Sequence, residues 1–135
     1  MPLLLWARKG TEMIRKIGKY CALLLIIFKK MSQRLQYLLQ LLESGSTDAF
    51  VLFAIAKEYE NAGDDAQALA YYVRLMETDS GYVGLYYHLG KLYEKLSDTK
   101  NAREIYQKGI ETSKMAGDRH ALSELQGALL NLDYA

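Results

Sequence analysis

The chain has one cysteine, one proline and one tryptophan in 135 residues, and a net charge of only +1. A lone Cys21 excludes an internal disulfide and any metal site built on several cysteines, and nothing in the sequence indicates an oxidising compartment. A spanning helix needs roughly 20 apolar residues in succession, and the apolar run Ala22–Phe28 falls far short of that. Catalytic groupings are missing too. His88 and His120 stand far apart, and Asp64-Asp65 sits where a helix start uses carboxylates, so no catalytic residues, no metal site, no cofactor and no enzyme activity are expected. With half the residues apolar, many of them Ala, Leu and Tyr, and almost no proline to interrupt a helix, the composition suits an all-α protein of one domain.

The small net charge hides an asymmetry. Residues 1–30 carry seven Lys or Arg (Arg8, Lys9, Arg15, Lys16, Lys19, Lys29, Lys30) against one acid, Glu12, for +6. The remainder carries ten basic and fifteen acidic residues, for −5, a sign that repels phosphate backbones and argues against nucleic acid as a partner.

Three readings of residues 1–30 stay open. They are a basic amphipathic arm lying on a membrane surface, an N-terminal helix packed on the rest, or an extension of the reading frame upstream of a natural start at Met31. A signal peptide fits poorly, because Lys29-Lys30-Met31 follows the apolar run where a cleavage site needs small residues. Composition and charge sign change at Met31-Ser32-Gln33, which favours the third reading, with 1–30 outside the natural protein.

From Ala49 to Ser113 the chain repeats itself. A shift of 34 residues carries Lys57, Tyr59, Glu60, Asp64, Ala68 and Tyr72 onto Lys91, Tyr93, Glu94, Asp98, Ala102 and Tyr106. A fixed period of that length marks stacked supersecondary units that each hide an apolar face against a neighbour. The register also runs backwards: Leu35, Tyr37 and Leu41 match Leu69, Tyr71 and Leu75, so 31–46 reads as half a unit. Units at 47–80 and 81–114 follow. A tail at 115–135 begins with Gly117-Asp118 and shows Ala121, Leu122, Leu125, Leu129 and Leu130 at helical spacing, as a terminal cap. Thr47 or Asp48, Asp64 and Asp98 stand where helix N-caps are expected.

On these residues the sequence resembles the tetratricopeptide repeat family. The second unit shows Tyr86, Leu89-Gly90, Tyr93, Asp98, Ala102, Tyr106 and Gly109, lacking only the turn glycine, where Ser97 stands. The first shows Leu52, Ile55-Ala56, Tyr59, Gly63-Asp64, Ala68 and Tyr72, with Leu75 in place of a small residue. Ser80 and Lys114 replace the proline that usually closes each unit. The resemblance implies an all-α solenoid, a right-handed superhelix of antiparallel helix pairs over 31–135.

It also implies a cytoplasmic adaptor that binds a protein or peptide partner in a concave groove lined by the first helix of each unit. The implied groove positions are Phe50, Phe53, Lys57, Glu60 and Asn61, then Tyr87, His88, Lys91, Glu94 and Lys95. Lys57 and Lys91 are expected on one wall, with Phe53 and Tyr87 as an aromatic pair beside them, facing a peptide with apolar anchors and an acidic group. The plain alternative is that the lysines only pair with Glu60 and Glu94. Some relatives hold a chaperone's C-terminal carboxylate with a Lys–Asn clamp, but the asparagine place is Lys57 here. A competing function is a structural homo-oligomer joined through apolar solenoid ends.

Overall fold

The computed structural model describes residues 15–23 and 32–135, in two compact units divided between Gln33 and Arg34. In the first unit residues 15–23 are helical (α1). The apolar run beyond Leu23 and the proposed start at Met31 lie outside the described residues.

From the boundary residue Gln33 onward run helices α2 (Gln33–Glu43), α3 (Ala49–Asn61), α4 (Asp65–Thr78), α5 (Gly84–Lys95), α6 (Thr99–Ala116) and α7 (Arg119–Tyr134), with no strand among the described residues. The fold is the all-α one expected, a tandem of helical hairpins α3/α4 and α5/α6 preceded by α2 and closed by α7.

The turns show why the chain breaks where it does. At the end of α3, Gly63 N–H donates to Glu60 O (3.1 Å) and Asp64 N–H to Tyr59 O (2.9 Å). At the end of α5 the same two bonds recur, Ser97 to Glu94 (2.9 Å) and Asp98 to Tyr93 (2.9 Å). After α6, Gly117 and Asp118 bond to Lys114 and Ser113 at 3.2 and 3.0 Å. These close the last carbonyls of each helix and require a left-handed residue, found at Gly63 (φ 80°), Ser97 (φ 61°) and Gly117 (φ 70°). The aspartate that follows then caps the next helix. Asp64, Asp98 and Asp118 accept from the N–H groups of Gln67, Asn101 and Ala121 at 3.2, 3.1 and 3.0 Å. Asp48 caps α3 through Phe50 N–H at 3.0 Å. One Gly-Asp or Ser-Asp pair therefore ends one helix and starts another.

Packing within a hairpin is antiparallel and set by tyrosines lying over small residues. A methyl group on Gly90 would come within 2.2 Å of the Tyr106 ring, and one on Gly109 within 2.5 Å of Tyr86 Cβ. Residues 86 and 90 of α5 thus meet 109 and 106 of α6, and both tyrosines are buried. In α3/α4 the equivalent places hold Ala56 and Tyr72, then Leu52 and Leu75, all buried. Leu75 departs from the family's small residue because its opposite number is Leu52 rather than a tyrosine; two medium side chains fill the space of one large and none.

The core runs continuously through both hairpins and into α7, joining Leu52, Tyr72, Leu85, Leu89, Tyr106 and Leu125. Tyr59 and Tyr93 are half-buried and pack against the core. Leu85 and Leu92 are fully buried although the hairpin pattern did not require them, because α5 packs on α4 as well as α6.

The junction between hairpins lacks the family's proline and is held otherwise. Asp79 Oδ1 accepts from Gly81 N–H at 3.1 Å, and the Tyr86 hydroxyl donates to Ser80 O at 2.6 Å. At the far end α7 buries Leu125 and Ala128, while Ser123, Glu124, Gln126 and Asn131 are exposed, giving a polar outer face. Leu130, placed by spacing on the apolar side, is exposed; Leu132 packs against the core instead.

Candidate functional site

The period of 34 residues places a three-residue arrangement twice. In the first hairpin Lys57 Nζ lies 3.3 Å from Glu60 Oε2, and the Tyr72 hydroxyl donates to the same oxygen at 2.7 Å. In the second, Lys91 Nζ lies 3.2 Å from Glu94 Oε2, and the Tyr106 hydroxyl donates to Glu94 Oε1. Each glutamate is held from below by a buried tyrosine, so the lysine above it is fixed on the surface of the first helix. Burial, then the hydrogen bond to the glutamate, pushes both tyrosine hydroxyls far above their ordinary range. The expected pairing of the lysines with Glu60 and Glu94 is present, and at a partly exposed site each ion pair contributes only ~0–1 kcal/mol.

The two hairpins meet at His88. Lys57 Nζ is 3.4 Å from His88 Nδ1, and the His88 ring lies 5.5 Å from Phe53 and 5.7 Å from Tyr87, edge-on to both. Its ring also stacks on Tyr72 at 6.4 Å. Burial first, and the Lys57 ammonium second, lower the His88 pKa, so the ring is neutral near pH 7. With Lys57 donating to Nδ1, the ring proton sits on Nε2.

Phe53 packs against Tyr82 at 5.2 Å and Tyr72 at 6.0 Å. Phe53 and Tyr82 help to line a hollow of about 370 Å³, with Val83, Gly84, Tyr87 and His88 of the hairpins and Ala121, Glu124 and Leu125 of α7. Phe53, Lys57, Glu60 and His88 thus form one cluster, and Tyr87 joins it to Lys91, whose Nζ lies 6.0 Å from the Tyr87 ring. Phe53 and Tyr87 are linked through His88 rather than forming a pair of their own.

Three expected groove residues stand apart from this cluster. Phe50, in the first turn of α3, is 58% exposed. Asn61 is exposed at the last position of α3. Lys95 turns instead to Asp65 at the start of α4 (2.9 Å), tying the second hairpin to the first. Tyr82 and the α7 residues Ala121, Glu124 and Leu125 were not among the expected positions. The signal for α7 was its place in the repeat order: a helix following a complete hairpin occupies the site of the next unit's first helix.

No metal-binding group of three or more His, Cys, Asp or Glu occurs among the described residues, and none of their helices is long and apolar enough to cross a membrane.

Comparison with known proteins bears on this arrangement. The tetratricopeptide repeat model matches residues 83–114, the second hairpin. A tetratricopeptide repeat domain protein from Salinibacter ruber, solved both in a crystal and in solution, is 45% identical with a TM-score of 0.62. The match covers 64% of this chain and 96% of the crystallised one, or 87% of the chain solved in solution. The Sgt2 tetratricopeptide repeat domain from Aspergillus fumigatus is 23% identical over 81% of this chain and 70% of its own, with a TM-score of 0.65. A Bordetella parapertussis protein is 24% identical over 77% of this chain and 90% of its own, with a TM-score of 0.68. These last two speak to the fold alone. No curated protein matches closely enough to carry an inference. With near-complete coverage of a relative at that identity, and with the turn, cap and Gly–Tyr packing described above, the chain belongs to the tetratricopeptide repeat family.

Proposed function

We propose that the chain is a protein-binding adaptor of the cytoplasm, without chemistry of its own, whose groove on α3, α5 and α7 takes a peptide segment of a partner. Tetratricopeptide repeats generally serve as protein-binding modules, and the hollow at Phe53 carries the reading to particular residues. Its volume of about 370 Å³ lies at the low end of the ~300–1,000 Å³ of ligand sites. That suits one or two apolar side chains of a peptide better than a small molecule enclosed on all sides. Phe53, Tyr82 and Tyr87 supply rigid aromatic walls of the kind that dominates binding energy.

Polar groups around the hollow set the orientation. Lys57 and Lys91 stand beside it on tyrosine-anchored glutamates, and both ammonium groups keep donors for an acidic group on the peptide. His88 Nε2–H is a further donor, and Glu124 of α7 is an acceptor for a peptide N–H or cation. The favoured ligand is therefore an extended or helical segment with an apolar anchor and a neighbouring Asp or Glu. Phe50, Asn61, Glu60, Glu94 and Lys95 complete the proposed groove as its rim and supports.

Selection of peptides from a random library on the immobilised protein tests this. The expected pool is rich in an aromatic or aliphatic residue near an acid, and K57E/K91E should lose most of it while keeping the melting temperature within a few degrees. A pool without acidic enrichment, or one that K57E/K91E retains, would overturn the assignment.

A further inference from the structure

Helix α1 belongs to the first unit. All its residues are exposed, and its two sides differ. At 3.6 residues per turn, Arg15, Lys16 and Lys19 fall on one side, with Leu23 among them, and Ile17, Tyr20 and Cys21 on the other. Ile17, Tyr20 and Leu23 are 54%, 66% and 51% exposed, so this short helix leaves three large apolar side chains uncovered.

Arg8, Lys9, Lys29 and Lys30 add to the basic residues of the surrounding sequence, and Trp6 and the run Ala22–Phe28 add to its apolar ones. Residues 1–30 hold +6 against −5 for the remainder, so the positive charge is concentrated on this segment.

We propose that α1 docks the chain on an anionic lipid surface, its Ile17–Tyr20 side in the headgroup boundary and its cations toward the lipid phosphates. An acidic polypeptide would neutralise the cations but leave the opposite side in water. A lipid surface accepts both: the apolar side enters the interface, where Trp and Tyr rings are favoured, and the basic side gains from the negative surface potential. The acidic solenoid is repelled by the same surface, which leaves the basic segment as the contact.

Co-sedimentation of the full chain with vesicles is the test, using phosphatidylcholine alone or with about a third phosphatidylserine. Trp6, the sole tryptophan, supplies a second readout, because its emission shifts to the blue on entering a lipid interface. The expected result is pelleting and a blue shift with the anionic vesicles only, both lost at about 1 M salt, where the screening length is ~3 Å. K16Q/K19Q should lower partitioning about thirtyfold, the factor two cations contribute near an anionic surface. I17D/Y20D should abolish the blue shift, and neither variant should change the solenoid's melting temperature. Absence of pelleting, equal pelleting with neutral vesicles, or salt-sensitive binding to polyglutamate with no Trp6 shift would each overturn the proposal.

Discussion

Gly109→Ala is a sharp test of the packing, because helix propensity and tertiary geometry demand opposite signs. In an unconstrained helix the change stabilises by about 1 kcal/mol. Here the new methyl would stand 2.5 Å from Tyr86 Cβ, 3.0 Å from Tyr86 Cγ and 3.0 Å from Leu125 Cδ1. Tyr86 cannot swing aside: its Cβ is fixed to the α5 backbone, and its hydroxyl is tied to Ser80 O at 2.6 Å. Carbon atoms pack at about 3.5–4.0 Å, so α5 and α6 must separate by roughly 1 Å. Overpacking of this kind costs about 3 kcal/mol at the upper end of its usual range. Set against the propensity gain, the net loss is about 2 kcal/mol, or a fall of about 8 °C in Tm for a domain of this size. Gly127→Ala is the control, because nothing lies within 4 Å of its added methyl; it should raise Tm by about 4 °C. Thermal melts followed by far-UV circular dichroism read both. If Gly109→Ala matched Gly127→Ala in sign, the close approach of α5 and α6 would be refuted.

Three further outcomes follow from the same geometry. Ser97→Gly should stabilise by about 0.5–1 kcal/mol in a urea titration, since it relieves a left-handed serine (φ 61°) at some cost in unfolded-state entropy; no gain would mean the strain is absorbed elsewhere. Glu94→Ala should cost about 2–3 kcal/mol by leaving the buried Tyr106 hydroxyl without its acceptor, and Glu94→Ala/Tyr106→Phe should recover part of that loss; equal losses would deny the coupling. Stability should also fall on the alkaline side. Tyr72 and Tyr106 have folded pKa values above the ordinary 10, so their contribution is full below pH 10 and is lost as pH rises past it, at about 1.4 kcal/mol per pH unit for each. Tyr72→Phe/Tyr106→Phe should flatten that slope in denaturant titrations at stepped pH, and an unchanged slope would show that other groups set it.

Much of the fold was legible because the features that fix it are local or periodic. Gly63-Asp64 and Gly117-Asp118 announce a helix end and a helix start within two residues, and Ser97-Asp98 does the same without its glycine. Ala56 and Gly90 opposite Tyr72 and Tyr106 gave the hairpin packing, since only a small residue lets a ring lie there. Contacts between units were harder to read. The meeting of Phe53, Tyr82 and His88 joins residues about 30 positions apart whose rings complete no pattern within one helix. Lys95 was placed in the groove by its helix position, but a carboxylate on the neighbouring hairpin, Asp65, holds it at 2.9 Å. The lining from α7 escaped notice because the 34-residue match fades there, and its place follows from stacking order rather than residue identity.

What these observations have in common is a division of labour within each first helix. One side packs through Leu52, Ala56, Leu89 and Gly90; the next side carries Phe53, Lys57, His88 and Lys91, held at defined heights by Tyr72 and Tyr106 beneath. Rigid supports of this kind favour binding by limiting what a partner must order. Amide chemical-shift mapping on the isotope-labelled protein, titrated with a library-selected peptide, bears on this most directly. The largest shifts should fall on Phe53, Lys57, Tyr87, His88 and Glu124; shifts centred instead on Tyr71 and Arg74 of α4, with those five unmoved, would contradict it.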